Sequence, residues 1–175
     1  MRAAYIILLG LLIIAPLHAQ KEKREPLTEA QQDKISEAGI FPAERIALYV
    51  KFADEHADTI QGLIKRAKSA ARSHRIDEEL QDFTAVMDEL GDNLDVYSGR
   101  KADLRPSLKG LNDGVARWQS ILHSLPSEPG FELPLKEAID SSNDLADQAK
   151  QITSDQEAYF KAHPDEKGQE RAEPH

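Results

Sequence analysis

The sequence predicts an all-α protein, an antiparallel up-down four-helix bundle with a short extra N-terminal helix. Two segments repeat apolar residues at alternating spacings of four and three, which is the period of one helix face. No stretch alternates strictly between apolar and polar residues beside hairpin turns, so no strand pattern competes. Short connections rich in proline, glycine and serine join the segments, and such connections favour antiparallel neighbours.

Residues 1–19 are predicted to be a signal peptide. Arg2 supplies a positive charge, an apolar run extends from Tyr5 to Ile14, and Ala19 ends a cleavage region. The apolar run is shorter than the roughly 20 residues that cross a bilayer, so we expect cleavage after Ala19 and no stable membrane span afterwards. A retained anchor is the alternative. The expected location is secreted or periplasmic.

A charged flexible linker is predicted over residues 20–27, followed by a short helix over 28–38. Thr28 occupies the N-cap position of this helix and Gln31 the N3 position. The threonine hydroxyl can accept from the N3 amide while the glutamine side chain reaches back to the N-cap amide, which is a capping box. Gly39 is expected to end the helix in the left-handed conformation.

Four longer helices are predicted at 43–73, 77–98, 104–125 and 132–161, so that the helical domain covers 28–161. The second and third carry the clearest apolar seams, and the fourth carries the most polar one. Those three seams are Ile76, Leu80, Phe83, Met87, Leu90, Leu94 and Tyr97; Leu104, Leu108, Leu111, Val115, Trp118, Leu122 and Leu125; and Leu135, Ala138, Ser142, Leu145, Ala149, Ile152, Gln156 and Tyr159. Residues 162–175 are polar and predict a disordered tail.

Counting back from each predicted turn places Trp118 near Phe83 and three alanines, Ala67, Ala70 and Ala138. A large ring facing small residues fits core packing, so we interpret Trp118 as a core residue. The alternative fold is an elongated helical hairpin that dimerises through the same seams. The oligomeric state is therefore predicted to be a monomer or a homodimer.

The composition limits the classes of partner. The net charge is −9, which argues against binding to nucleic acid or to anionic lipid. The chain has no cysteine, which excludes disulfides, thiolate metal sites and a cysteine nucleophile. An unknown protein partner is the expected class of partner.

No motif of an enzyme, metal or cofactor site is present. The sequence lacks Glu-x-x-His, His-Glu-x-x-His and Gly-x-Ser-x-Gly. We therefore expect no enzymatic activity, no catalytic residues, no metal ligands and no cofactor. Carboxylates four residues apart, Asp54 with Asp58 and Glu78 with Asp82, are interpreted as solvated faces.

His56 is a candidate binding residue because it lies at a core-facing position of the first long helix. A buried imidazole needs a hydrogen-bond partner. Counting back from the predicted turns places Asp95 or Gln148 near the level of His56. The main interpretation is a satisfied core or boundary histidine. The alternatives are a ligand-binding or metal-binding role, and a pH-sensing role.

Four aromatic residues form a second candidate site. The first and fourth long helices are predicted to be longer than the middle two, and their overhanging ends would gather Tyr49, Phe52, Tyr159 and Phe160. The short N-terminal helix leads into that end of the bundle. It is expected to cover an apolar surface, and the functional alternative is a displaceable lid over a hydrophobic binding patch.

Residues 27–31 read LTEAQ, and these letters resemble the LTxxQ motif of the periplasmic CpxP and Spy proteins. That resemblance implies a small exported helical protein that acts as a chaperone or in envelope stress. The capping box accounts for the same residues as a helix start. The leading functional hypothesis is an exported, non-enzymatic binding or scaffolding protein of the cell envelope. The alternatives are the chaperone or stress protein and a cofactor-binding or metal-binding bundle.

Overall fold

A computed structural model describes residues 25–39 and 41–166, and these residues form five helices and no strand. The helices are α1 (Glu29–Glu37), α2 (Pro42–Ile64), α3 (Ala70–Gly99), α4 (Arg105–Ser124) and α5 (Glu132–Ala162). The all-α prediction is confirmed for this part of the chain. The predicted signal peptide, residues 20–24 of the predicted linker and residues 167–175 of the predicted tail lie outside it. No helix within the described ranges has the length and apolar content to cross a bilayer.

Helix α1 begins with the predicted capping box. The amide of Gln31 donates to the Thr28 hydroxyl at 3.3 Å, and the Thr28 amide donates to the Gln31 side chain at 2.9 Å. Leu27 and Ile35 are buried in the core, so they hold α1 against α2. Leu27 is thus packed rather than part of a flexible linker. The LTEAQ residues have a complete structural role as a helix start.

The end of α1 differs from the prediction at Gly39. This glycine does not have a positive φ, so it is not a left-handed cap. Its amide donates to the carbonyl oxygen of Ser36 at 3.0 Å, and a Cβ at this position would lie only 2.6 Å from that same oxygen. A glycine is needed because two backbone segments approach closely, not because the dihedral angle is unusual.

The turn between α2 and α3 also differs from the prediction. Helix α2 ends at Ile64 instead of 73, and α3 begins at Ala70 instead of 77. Ser69 is the N-cap of α3, since its hydroxyl accepts from the amide of Arg72 at 3.1 Å. Ala67 continued the apolar spacing in the sequence, but it is exposed. A short alanine side chain contributes little burial, so the serine cap decides the boundary.

A buried arginine closes this turn. The side chain of Arg72 is 4% exposed and donates to the carbonyl oxygen of Ile64 at 3.2 Å. Its other terminal nitrogen pairs with Glu128 in the connection between α4 and α5. Lys68 lies 3.0 Å from the second oxygen of Glu128. Arg72 therefore joins the end of α2, the start of α3 and the α4–α5 connection.

Each of the four long helices packs directly against two others. Helix α2 contacts α3 and α4, and helix α5 contacts the same two helices from the other side. In the described part of the chain, α3 does not pack directly on α4, nor α2 on α5, so these pairs face each other diagonally across the core. The consecutive helices α3 and α4 are therefore not neighbours, contrary to what their short connection predicts.

Two pairs of consecutive helices, α2 with α3 and α4 with α5, run antiparallel. In each pair, residues later in the first helix contact residues earlier in the second. Tyr49 of α2 interacts with Asn93 of α3, whereas His56 further along α2 reaches back to Glu79. In the second pair the corresponding bonds are Asn112 with Thr153 and Gln119 with Asn143. Each pair is a helical hairpin.

The two hairpins meet through parallel helices, because residues later in one helix contact residues later in the other. Ser141 of α5 donates to Asp88 of α3 at 2.8 Å, and Gln148 donates to Asp95 at 2.6 Å. Between α2 and α4, Gly114 lies beside Val50, and Trp118 further along α4 donates to Asp54 further along α2. The neighbours α3 and α5, and likewise α2 and α4, therefore run parallel.

Gln156 holds the connection that crosses from α3 to α4. Its side-chain oxygen accepts from the amide of Leu104 at 2.8 Å, and its nitrogen donates to the carbonyl of Ala102 at 2.6 Å. Gln156 is 5% exposed and both partners are also buried. The connection includes Lys101 at a φ of 57°. This glutamine explains why the fourth predicted seam contains a polar residue.

Trp118 lies in the core, as predicted. It is fully buried, its ring meets Phe83 edge-on with centroids 5.8 Å apart, and its indole nitrogen donates to Asp54 at 2.8 Å. Ala67 and Ala70 are exposed and do not form its surroundings. The small residue beside the ring is Gly114, where an added Cβ would lie 3.1 Å from the indole.

We expect Gly114→Ala to lower the free energy of unfolding. Its Cβ would lie 3.1 Å from Trp118 and 3.2 Å from Val50, so both of these packed side chains would have to shift by a few tenths of an ångström. Overpacking of this kind costs about 1–3 kcal/mol, which outweighs the roughly 1 kcal/mol that alanine gains over glycine in a helix. Gly110→Ala in the same helix has open space around it and should instead stabilise the protein. Urea unfolding measures the change in unfolding free energy of each variant. If both variants are stabilised, or both destabilised, this account is contradicted.

Candidate functional site

A cavity lies where the start of α5 meets α3. It has a volume of about 860 Å³ and a mostly apolar lining. Its lining residues are Asp77, Gln81, Ser127, Gly130, Phe131, Glu132, Leu133, Pro134, Leu135, Lys136, Glu137 and Ile139. We call this cavity the apolar groove.

The backbone before α5 positions the apolar groove. Gly130 has a φ of 107°, a conformation that side chains rarely adopt, and it turns the chain into Phe131. Phe131 is fully buried and anchors the start of α5, while Leu133 two residues later is 66% exposed. Leu133 lines the cavity, so its exposed side chain adds to the apolar surface there.

A second cavity continues along the same α3–α5 junction. It has a volume of about 470 Å³ and is lined by Met87, Asp88, Gly91, Asp92, Asp95, Ser141, Asp144, Leu145 and Gln148. Four of these residues are aspartates and none is lysine or arginine. Asp88 and Asp95 accept hydrogen bonds from α5, whereas Asp92 and Asp144 have no partner among the described residues. We call this cavity the acidic groove.

The acidic groove does not have the arrangement of a metal site. Within 25–39 and 41–166, no three histidine or carboxylate side chains are grouped so that they could hold a metal ion. Carboxylates that share a groove without being grouped around one point supply a negative electrostatic potential rather than a coordination shell.

His56 lies between α2 and α3 and not beside the residues expected from the sequence. Its Nδ1 is 3.0 Å from Glu79, and its side chain is 16% exposed. Asp95 and Gln148 instead bond to each other. The expected partners were wrong because the turn lies near position 67 rather than 75. Counting back from 67 pairs position 56 with about 78, whereas counting from 75 pairs it with about 94.

The carboxylates Asp54 and Asp58 are not simply solvated, which corrects the sequence interpretation. The guanidinium group of Arg117 in α4 pairs with both of them, at 2.6 Å for Asp54. Asp54 also accepts from the Trp118 indole. This pair therefore joins α2 to α4 and belongs to the structural contacts of the core edge.

Tyr49 and Phe52 are buried and do not form an exposed binding surface. Phe52 is 1% exposed and Tyr49 is 5% exposed. Tyr49 lines a cavity of about 410 Å³ beneath α1, together with Leu27, Ile35 and Glu89. Burial and the nearby Glu89 carboxylate both raise the pKa of the Tyr49 phenol, so the ring stays neutral. Helix α1 thus covers this side of α2.

Tyr159 and Phe160 form a separate cluster around the α3–α4 connection. Their rings meet edge-on at 5.3 Å, Lys101 lies 5.1 Å above Tyr159, and Arg105 lies 3.9 Å above Phe160. The hydrogen bond to the Glu166 carboxylate raises the pKa of the Tyr159 phenol. The contacts of Lys101 with Tyr159 and of Arg105 with Phe160 are cation–π interactions that hold the α3–α4 connection against α5.

The four aromatic candidates therefore do not form one patch. No ring contact between Tyr49 or Phe52 and Tyr159 or Phe160 occurs in the described part of the chain. The expected difference in length holds for α5, which has 31 residues against 30 for α3 and 20 for α4, but it fails for α2, which has 23 residues and is shorter than α3.

The chain matches no protein-family model, no curated protein and no solved structure. The candidate site therefore rests on geometry. Sequence reasoning did not find the α3–α5 junction. The available signal was Leu133, an apolar residue between glutamate and proline directly after the Gly130 turn, outside the regular seam of the last helix.

Proposed function

We propose that this protein is a non-enzymatic binding protein of the cell envelope that holds an apolar polypeptide segment in the apolar groove. The observation that carries the proposal is Leu133, which is 66% exposed at a cavity of about 860 Å³. Covering an exposed leucine with an apolar partner removes its side chain from water, and this burial makes the free energy of binding more favourable. The groove is also large enough for several side chains of a partner.

The scaffold of the proposal is an up-down four-helix bundle, built from two antiparallel hairpins with α1 packed outside. A rigid bundle suits this role, because a preformed groove loses little conformational entropy when its partner binds. Phe131, fully buried below the groove, supports this rigidity.

Two further observations support the non-enzymatic and envelope parts of the proposal. The lining of the apolar groove contains no histidine or cysteine, and Ser127 is its one hydroxyl side chain. Such a lining offers contact area rather than an activated nucleophile with a base. The envelope location rests on the charged and apolar pattern of residues 1–19.

Binding of a neutral amphipathic peptide tests this function. The probe is a 16-residue helical peptide with leucines on one face and glutamines on the other, labelled with rhodamine and followed by fluorescence anisotropy. We expect Leu133→Gln to weaken binding about tenfold, because burying one leucine contributes roughly 1.5–3 kcal/mol. The matched control is Phe41→Gln, since Phe41 is 43% exposed and lies outside the groove.

Two results would contradict the proposed function. One is the absence of any saturable binding by the wild-type protein. The other is an equal loss of affinity in the Leu133→Gln and Phe41→Gln variants, which would mean that the peptide adheres to any exposed apolar residue.

A further inference from the structure

The apolar and acidic grooves lie one after the other along the same two parallel helices, α3 and α5. Asp77 and Gln81 of α3 line the first groove, and Asp88, Asp92 and Asp95 of the same helix line the second. Helix α5 contributes in the same order, from Leu133 at one end to Gln148 at the other. Positions 133 to 148 span about 22 Å at 1.5 Å per residue. A partner helix of about 15 residues would cover both grooves.

The acidic groove carries charge that the described part of the chain does not neutralise. Asp92 and Asp144 are exposed and form no hydrogen bond or ion pair there. Asp88 and Asp95 receive hydrogen bonds from the neutral groups of Ser141 and Gln148, which leave their charges in place. Four carboxylates in one groove without a lysine or arginine attract cations over roughly the Debye length, about 8–10 Å at physiological salt.

We infer that the partner of this surface is a basic amphipathic helix. This inference rests on the proposed function and adds the partner's charge to it. The apolar face of such a helix would cover Leu133 and fill the apolar groove, as in other helix-in-groove recognition. Its lysine or arginine side chains, about three turns beyond the residue that covers Leu133, would reach Asp92 and Asp144. Complementary charge increases the association rate and excludes acidic competitors.

The inference is tested with three peptides that share one leucine face. Their polar faces contain lysine, glutamine or glutamate, and each has 16 residues. We expect the lysine peptide to bind about tenfold more tightly than the glutamine peptide, which corresponds to roughly 1.4 kcal/mol. The glutamate peptide should bind more weakly than both. Raising the salt concentration should bring the three affinities together.

The variant Asp92→Asn/Asp144→Asn isolates the acidic groove. Neither carboxylate has a partner within the described residues, so the substitutions remove charge without breaking a contact. We expect this variant to bind the lysine peptide only about threefold more tightly than the glutamine peptide, because Asp88 and Asp95 keep their charges. The matched control is Asp33→Asn/Glu157→Gln, which changes the net charge equally at exposed residues outside both grooves.

Four outcomes overturn the inference. If the three peptides bind equally, the proposed function survives and the charge preference fails. If none of them binds, both proposals fail. If Asp33→Asn/Glu157→Gln reduces the preference as much as the groove variant does, the effect comes from net charge alone. Native mass spectrometry is the last check: a dimer that Asp92→Asn/Asp144→Asn dissociates would make a second copy of this chain the occupant.

Discussion

A Gln156→Leu variant is expected to lose about 3 kcal/mol of unfolding free energy. The substitution leaves the amide of Leu104 and the carbonyl of Ala102 without their hydrogen-bond partner. Both groups are buried, and each unpaired buried group costs about 1–3 kcal/mol. The apolar leucine side chain recovers part of this cost by burial. Chemical denaturation monitored by circular dichroism measures the loss.

Gln151→Leu is the control for this prediction. Gln151 lies in the same helix, but it is exposed and bonds only to Asp155 one turn away. Its substitution should change the free energy of unfolding by less than about 0.5 kcal/mol. A Gln156→Leu variant as stable as this control would show that the α3–α4 connection does not depend on the glutamine.

Replacing Arg72 with methionine is expected to have a similarly large effect, again about 3 kcal/mol. Methionine keeps the length and apolar stem of the side chain but removes the guanidinium group. The carbonyl of Ile64 then loses its donor. Glu128, whose side chain is 11% exposed, keeps Lys68 as its one cationic partner among the described residues. The cost arises mainly because a nearly buried carboxylate loses its buried counter-charge.

Arg75→Met provides the comparison, because Arg75 is exposed and lies one turn further along α3. This variant should unfold at the same urea concentration as the wild type, whereas Arg72→Met should unfold at a lower one. If both arginine variants have the same midpoint, the ion pair with Glu128 contributes nothing to stability.

The helices with regular apolar spacing could be predicted from the sequence. All seven seam positions of α3, from Ile76 to Tyr97, are buried. The first boundary was wrong because Ala67 and Ala70 continue the spacing without burying much surface. That error moved the turn, and a moved turn changes every pairing between α2 and α3. It led to the wrong partners for His56.

The order in which the helices pack could not be predicted. A connection as short as Arg100–Leu104 fits two adjacent helices, and it also fits two helices that face each other diagonally. In the structure, Gln156 bonds to the backbone of this connection and holds it against α5. The sequence showed a glutamine in an apolar seam but not its partner. The α3–α5 junction follows from the same packing order, so the apolar groove was not predicted either.

The crossing connection has a consequence for how the chain folds. Within the hairpins, side-chain bonds join residues from 23 positions apart, as in His56–Glu79, to 44 positions apart, as in Tyr49–Asn93. Between the hairpins the separation grows to 53 for Ser141–Asp88 and 64 for Trp118–Asp54. Closing longer loops costs more entropy and slows folding.

Each hairpin is therefore a local unit, and the two units must then dock with residues 100–104 as their hinge. Docking between units on one chain uses the same contacts as docking between two chains. Opening this hinge would let the α4–α5 hairpin of one molecule take its place on the α2–α3 hairpin of another, which is the geometry of domain swapping. We expect Gln156, which fastens the hinge to α5, to oppose this exchange.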